Sequence, residues 1–264
     1  MAAEVQYATH KAPNGGPALS YALHLPADSS AVAKAALIAH PYGRLGGCKE
    51  DHVVVALAEM LAREGYAVVR FDARGAGESG GPASWTGAAE ADDFRHLVDA
   101  VVLPLFTASA PAVPAPSPAS PASTPSTAPQ VELLLAGYSF GSLAATSCPP
   151  PSRRCLSIRT SYLVVSYPLS VLWALTFLQS GRFTAALRDL VRRGGSCVLT
   201  VFGDADNFSS VDKLRSWAAG LEKEQGSDSC WTAVEVEGVD HFWREREKKR
   251  ALLDVVRRWL REEQ

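Results

Sequence analysis

Ser139 stands between two glycines in the stretch GYSFG, 137–141, directly after the apolar run ELLLAG, 132–137. The pattern Gly-x-Ser-x-Gly is typical of a nucleophilic serine that is exposed on a sharp strand-to-helix turn. The glycines leave room where the chain passes close to its neighbours, and the following SLAA predicts the start of a helix. The pentapeptide alone also occurs in ordinary turns, so the prediction of a nucleophile depends on this strand-turn-helix context.

A serine nucleophile needs a base, and the base needs a third group that orients it. Among six histidines, His241 follows the last predicted strand, in AVEVEGVDHFW, before the final helix. The preceding strand ends in two candidate acids, Asp204 and Asp206. We favour Asp206, because a side chain further along the loop reaches the histidine more easily, and Asp204 would then cap the turn. The predicted catalytic residues are therefore Ser139, Asp206 and His241.

Acyl transfer also needs N–H donors that face the developing oxyanion. One donor is expected from the backbone of Phe140, directly after the serine. The second is expected from the loop HPYGRLGG, which follows the predicted strand AALIAH. Pro41 has no N–H, so Tyr42 is favoured as the donor and Gly43 is the alternative. His40 is interpreted as a structural residue whose ring fixes the loop, with a catalytic role as the alternative.

Strand and helix patterns alternate along the chain and must position these residues. An N-terminal hairpin is predicted from VQYATH and 18–26, and further strands at 35–40, 67–72, 132–137, 161–167, 197–203 and 231–238. Helices are predicted from about Asp51 to Gly65 and at 91–106, 173–193, 211–223 and 245–262. The order indicates an α/β fold, with a mainly parallel sheet, an N-terminal antiparallel hairpin and helices on both faces. In such sheets, sites form beyond the carboxyl ends of the strands.

Two segments interrupt this alternation. Residues 107–129 consist of Ala, Pro, Ser and Thr apart from one valine, which predicts a disordered or polyproline-like loop inserted in a single domain, 1–264. After the serine, the run Cys148-Pro149-Pro150-Pro151 cuts the helix short and leaves open how the chain packs behind the nucleophile.

Composition excludes several function classes. The chain is 47% hydrophobic and 20% charged, with a net charge of -2, which is typical of a soluble globular protein and gives no reason to expect nucleic acid or membrane as a partner. The five cysteines are scattered and form no C-x-x-C pair, so we expect no disulfide framework, no metal site and a reducing, cytoplasmic location. No signal-peptide pattern or membrane-spanning run is present, and no cofactor is expected.

Together, these motifs resemble the α/β-hydrolase superfamily, in particular its small, nearly capless serine hydrolases whose oxyanion loop begins with His-Pro. The resemblance rests on HP at 40–41, GG at 46–47, VV at 53–54, RFDARGAGES at 70–79, and on Gly87, Glu90 and Asp92. It covers almost the whole chain apart from the inserted loop, and the order Ser139, Asp206, His241 matches that of the superfamily. It implies a minimal cap, and we expect Asp72, Arg74 and Glu78 to form local ion pairs.

The substrate is the least constrained part of this prediction. The segment YPLSVLWALTFL, 167–178, supplies bulky apolar groups, and Leu169, Trp173 and Phe177 are candidates for lining the pocket, with ordinary core packing as the alternative. We expect a serine hydrolase that cleaves a carboxylic ester or thioester of a small to medium apolar substrate through an acyl-enzyme. The alternatives are an acyltransferase, lyase or cyclase that uses the same triad, and a catalytically silent binding protein. The sequence does not indicate an oligomeric state.

Overall fold

The computed structural model describes residues 4–26, 32–108 and 129–262. The loop predicted at 107–129 therefore lies, from residue 109 to residue 128, outside the described residues. None of the described helices is long and apolar enough to cross a membrane.

In the described part of the chain, eight strands form one sheet in the order β1-β2-β4-β3-β5-β6-β7-β8. The strands are β1 (Glu4–Lys11), β2 (Ala18–Leu25), β3 (Lys34–Ala39), β4 (Ala67–Phe71), β5 (Gln130–Tyr138), β6 (Ser157–Val165), β7 (Ser196–Gly203) and β8 (Cys230–Val236). β2 pairs antiparallel with β1 and β4, and the other neighbours are parallel. The predicted mainly parallel sheet with an antiparallel N-terminal hairpin is confirmed.

Helices lie between the parallel strands and cover both faces of this sheet. They are α1 (His52–Arg63), α2 (Ala88–Leu97), α3 (Leu103–Ala108), α4 (Gly141–Thr146), α5 (Leu172–Leu175), α6 (Ser180–Arg193), α7 (Val211–Lys223) and α8 (Arg246–Glu262). A π-helical segment, Val98–Val102, joins α2 to α3, so the helix predicted at 91–106 begins earlier than expected and continues to the edge of the described residues.

The single helix predicted at 173–193 is wrong, because the chain breaks between α5 and α6. Phe177 and Leu178 adopt left-handed backbone conformations, with φ of 44° and 67°. The N–H of Leu178 donates to the carbonyl of Trp173 at 2.8 Å, a bond of the kind that closes the C-terminus of a helix. Glycine is the usual residue at such a position, so this apolar run carries no sequence signal for the break.

The apolar core has two halves, one on each face of the sheet. Alternate residues of the central strands point to opposite faces, so Leu37 packs into one half and Ile38 into the other. The first half includes side chains of α2, α4, α6 and α7, and the second includes those of α1 and α8. Burial on both faces explains why these strands are continuous apolar runs rather than alternating ones.

The short helix α4 lies behind the predicted nucleophile and is firmly packed. Every residue from Gly141 to Thr146 is buried. Thr146 donates its hydroxyl to the carbonyl of Ser142 at 2.8 Å, and Leu143 and Ala145 join the core on the α2 and α6 face. The early stop before the three prolines therefore leaves the helix with its apolar contacts intact.

Candidate active site

Ser139 occupies the turn between β5 and α4 in a strained left-handed conformation, with φ of 53°. The two glycines around it are required by close approach. A Cβ on Gly137 would lie 2.3 Å from the backbone of Gly141, and a Cβ on Gly141 would lie 2.4 Å from the carbonyl oxygen of Ala39. The N–H of Ser139 donates to the carbonyl of Val165 at 2.8 Å. Val165 is the last residue of β6, so the neighbouring strand holds the serine in place.

His241 reaches this serine from the loop after β8. Its Nε2 lies 2.8 Å from Ser139 Oγ, and the imidazole is almost fully buried. Tyr138 donates its hydroxyl to the carbonyl of His241 at 2.8 Å, and the ring of Phe208 packs edge-on against the imidazole with centroids 4.5 Å apart. The histidine is therefore held through its backbone as well as its ring.

Asp206 lies on the other side of the imidazole. Its Oδ2 is 2.6 Å from His241 Nδ1, and its Oδ1 accepts the N–H groups of Phe208 and Ser209 at 2.8 and 2.9 Å. These two bonds turn the carboxylate towards the ring. Asp204 instead accepts the N–H of Gly238 at 2.6 Å, in the turn after β8.

The neighbouring carboxylate of Asp240 has a different partner. Its Oδ1 accepts the N–H groups of Phe242 and Trp243, both at 3.0 Å, and so shapes the turn that follows the histidine. The structure thus brings together Ser139, His241 and Asp206, and it engages Asp240 in local backbone bonds.

The two backbone N–H groups predicted to bind an oxyanion have no partner in the described part of the chain. Those of Tyr42 and Phe140 donate to no acceptor within the described ranges, and the two rings pack with centroids 4.9 Å apart. The loop that carries Tyr42 continues into a short 3₁₀ turn, Gly43–Leu45. An oxyanion site requires N–H groups that are free in this way.

His40 anchors the start of this loop. Its Nδ1 lies 2.5 Å from the carbonyl oxygen of Pro41, and its Nε2 accepts the N–H of Ala73 at 2.9 Å. Both contacts together require a neutral ring with the proton on Nδ1. Burial holds the pKa of His40 below its ordinary value, which favours the same form.

A buried ion pair joins the loop after β3 to the RFDARGAGES segment, and the sequence analysis did not identify Lys49 as the partner. The Nζ of Lys49 lies 2.8 Å from Asp72 Oδ2 and 2.6 Å from Glu78 Oε2. Asp72 also accepts the backbone N–H of Lys49 at 2.6 Å and that of Glu78 at 2.9 Å. Arg74 pairs with Asp93 instead. No sequence signal marks Lys49 as the partner, because the contact depends on two loops meeting in space.

A cleft of about 310 Å³ opens beside Ser139 and His241. It is lined mostly by apolar and aromatic groups, together with one aspartate and one arginine. The lining residues are Pro41, Tyr42, Leu45, Gly46, Gly47, Asp51, His52, Tyr138, Ser139, Pro168, Val171, Leu175, Phe208, His241, Phe242 and Arg244. Within the described ranges, no cluster of three or more histidine, cysteine or acidic side chains could hold a metal ion.

The predicted lining residues Leu169, Trp173 and Phe177 do not border this cleft. Trp173 and Phe177 are exposed, and Leu169 packs against the core on the α7 side. The same segment contributes Pro168, Val171 and Leu175 instead, all of which precede the break between α5 and α6. The predicted segment therefore borders the cleft, but through other residues than those predicted.

Part of the chain is similar to one known protein family. Residues 15–138 match the sequence profile of the X-Pro dipeptidyl-peptidase (S15) family, a stretch that ends one residue before Ser139. No curated protein matches the chain significantly.

Solved structures match almost the whole chain. An α/β serine hydrolase homologue from Coxiella burnetii has 20% identity and a TM-score of 0.69, with 97% of each chain covered. A serine hydrolase without a lid from Xanthomonas campestris has 24% identity and a TM-score of 0.64, covering 97% of this chain and 95% of its own. An esterase from Pyrococcus furiosus has 15% identity and a TM-score of 0.63, covering 98% of this chain and 91% of its own.

These likenesses establish the α/β-hydrolase fold, in the form found in serine hydrolases. The α/β-hydrolase fold that the motifs predicted is thereby confirmed. What this particular chain does must be argued from its own site, because similarity at this level of identity defines the fold alone.

Proposed function

We propose that this chain is a cofactor-free serine hydrolase that cleaves a carboxylic ester or thioester through an acyl-enzyme. The observation that carries the proposal is the unbroken line of contacts from Ser139 Oγ through His241 to Asp206 beside an open cleft. A serine with a positioned base, and a base with a positioned acid, is the arrangement that activates a hydroxyl for attack on a carbonyl.

Each residue then has one task in the reaction. Ser139 attacks the carbonyl carbon while His241 Nε2 accepts its proton, and Asp206 stabilises the imidazolium that results. The negative charge on the carbonyl oxygen is bound by the N–H groups of Tyr42 and Phe140. His241 then gives its proton to the leaving alcohol or thiol, which departs and leaves the acyl group on the serine.

Water then hydrolyses the acyl-enzyme, with His241 again acting first as base and then as acid. His241 accepts a proton from a water molecule, whose oxygen attacks the acyl carbon, and then returns the proton to Ser139 as the acid leaves. The cleft is open enough to admit that water, and its apolar lining by Leu45, Val171 and Leu175 suits a substrate of small to medium size.

Peptide cleavage is the second candidate, because of the S15 family match. The matched stretch stops before Ser139 and therefore includes none of the three proposed catalytic residues. A dipeptidyl-peptidase must also hold the free ammonium of its substrate. The one carboxylate that lines the cleft among the described residues, Asp51, already caps the N-terminus of α1. Parallel assays with a p-nitrophenyl ester and glycyl-prolyl-p-nitroanilide distinguish the two activities, and we expect turnover of the ester.

The direct test is labelling with a fluorophosphonate probe together with hydrolysis of p-nitrophenyl butyrate. We expect Ser139→Ala to lose both, and Ser227→Ala, on the exposed turn after α7, to retain both. Labelling that survives Ser139→Ala would overturn the assignment. Product analysis with an added alcohol tests for acyl transfer, and a folded wild-type chain that neither labels nor turns over ester would indicate a silent binding protein.

A further inference from the structure

The cleft carries an uncompensated positive charge. Among its lining residues within the described ranges, Arg244 supplies the one guanidinium or ammonium group, and no carboxylate of those ranges lies within ion-pair distance of it. The lining carboxylate, Asp51, is engaged elsewhere, since its Oδ1 accepts the N–H groups of Val53 and Val54 at 2.9 and 3.4 Å. A helix N-terminus stabilises that negative charge where it lies.

Hydrogen bonds hold the turn that carries Arg244. Asp240 fixes the N–H groups of Phe242 and Trp243, and Trp243 adopts a left-handed conformation with φ of 53°. The indole is fully buried and donates its N–H to Ser166 Oγ at 2.9 Å. With Trp243 pointing into the core, its two neighbours, Phe242 and Arg244, both face the cleft.

The arginine side chain is also positioned close to the reacting groups. Its guanidinium lies over the ring of Phe242, 4.5 Å from the centroid, and that ring contacts the imidazole of His241 with centroids 5.8 Å apart. One aromatic ring thus separates the positive charge from the proposed catalytic base. Stacking leaves the N–H donors in the guanidinium plane available, and their geometry matches both oxygens of a carboxylate.

We propose that Arg244 binds a carboxylate on the substrate, so that the preferred substrate is an ester whose apolar chain ends in an acidic group. This inference rests on the proposed function, since it names the substrate class of the same site. The carboxylate could belong to the acyl group or to the alcohol, because both extend from the same carbonyl into the cleft. The chemistry that Arg244 recognises is the same in either case.

The experiment compares three p-nitrophenyl esters of similar length: hexanoate, which is neutral, hemiadipate, which ends in a carboxylate, and ε-aminohexanoate, which ends in an ammonium. We expect the wild type to prefer hemiadipate over hexanoate by about tenfold in kcat/KM, the scale of one charge-assisted hydrogen bond. Arg244→Gln should bring that ratio close to one, and Arg244→Lys should leave an intermediate preference. About 1 M sodium chloride should lower the wild-type preference, because the guanidinium is exposed.

A matched control is Arg246→Gln, at the start of α8, which removes an exposed arginine that does not line the cleft. This variant should keep the wild-type ratio of kcat/KM for hemiadipate over hexanoate. A second pair of esters, p-carboxyphenyl and p-methylphenyl hexanoate, carries the carboxylate or its neutral replacement on the alcohol part of the substrate. The pair of esters that loses its preference in Arg244→Gln shows whether Arg244 binds a carboxylate of the acyl part or of the alcohol part. The inference is overturned if neither ratio changes in Arg244→Gln, or if the wild type prefers the ammonium ester. If no ester is hydrolysed at all, the proposed function itself has failed.

Discussion

Replacing Asp206 with asparagine tests the proposed roles of the acid and the base most sharply. Asp206 Oδ1 accepts two backbone N–H groups, from Phe208 and Ser209. In Asp206→Asn the carbonyl oxygen must stay at that position, because an amide NH₂ there would face two donors. The NH₂ group therefore points at His241 Nδ1, which must become an acceptor, and the ring proton moves to Nε2.

The consequence follows from the 2.8 Å contact between His241 Nε2 and Ser139 Oγ. An Nε2 that already carries a proton cannot accept the serine proton. We expect kcat to fall by about 10³–10⁴-fold, the loss that the wrong histidine tautomer causes in serine triads, or about 4–5.5 kcal/mol of transition-state stabilisation. Because both backbone bonds are retained, the free energy of unfolding should change little.

The matched control is Asp204→Asn, in the same loop. Asp204 accepts a single N–H, from Gly238, and an asparagine oxygen can do the same. Steady-state hydrolysis of p-nitrophenyl butyrate, with circular dichroism and urea unfolding of each variant, gives the comparison. The reasoning is refuted if Asp206→Asn keeps more than about a tenth of the wild-type kcat, or if Asp204→Asn loses as much activity as Asp206→Asn.

Three further predictions concern the loops and the turn around Ser139. Lys49→Met leaves the buried carboxylate of Asp72 without its counter-ion, and we expect the free energy of unfolding in urea to fall by about 3–5 kcal/mol. Gly141→Ala places a Cβ 2.4 Å from the carbonyl oxygen of Ala39, and urea unfolding should show a loss of about 1–3 kcal/mol. Burial lowers the pKa of His40 below its ordinary value of 6.5. Below that pH the unfolded chain binds a proton on His40 that the folded chain does not bind. The free energy of unfolding therefore decreases as the pH falls. His40→Gln should remove part of that loss, at most about 1.4 kcal/mol per pH unit, as urea unfolding between about pH 7 and 5 can show.

Controls for these variants are available in the same chain. Lys223→Met replaces an exposed lysine of α7 and should change the free energy of unfolding by less than about 0.5 kcal/mol. If Lys49→Met or Gly141→Ala behaves like that control, the corresponding contact does not stabilise the fold as argued. An unchanged pH slope in His40→Gln would show that other groups carry the acid sensitivity; His24, whose pKa is also lowered by burial, is the first to examine.

The sequence was sufficient to predict that Ser139, Asp206 and His241 lie together, because each of them follows the end of a strand. Ser139 follows β5, Asp206 follows β7 and His241 follows β8, and these strands run parallel in the order β5-β6-β7-β8. Their carboxyl ends meet at one edge, so residues far apart in the chain can be expected to lie together. The choice between Asp204 and Asp206 could be argued from reach alone.

What the sequence could not predict depends on contacts between distant segments or on unusual backbone conformations. Lys49 pairs with Asp72 across 23 residues, and nothing in the local pattern of either residue marks the pair. Phe177 and Leu178 take a conformation that glycine usually supplies, so the apolar run looked like one helix. In the same segment, Val171 and Leu175 line the cleft, while Trp173 and Phe177 are exposed.

Strained backbone positions concentrate at the edge of the sheet where the proposed reaction takes place. Ser139, Ser166 and Trp243 all have positive φ although none is glycine. Each is fixed from outside its own turn: Ser139 donates to the last carbonyl of β6, Ser166 donates to the carbonyl of Val201 in β7 at 2.8 Å, and the Trp243 indole donates to Ser166 Oγ. The unfavourable conformations are therefore offset by hydrogen bonds that continue the sheet past the ends of its strands. Strain of this kind persists only where the surroundings over-determine the backbone, so the sheet itself holds the turn that carries the Ser139 hydroxyl.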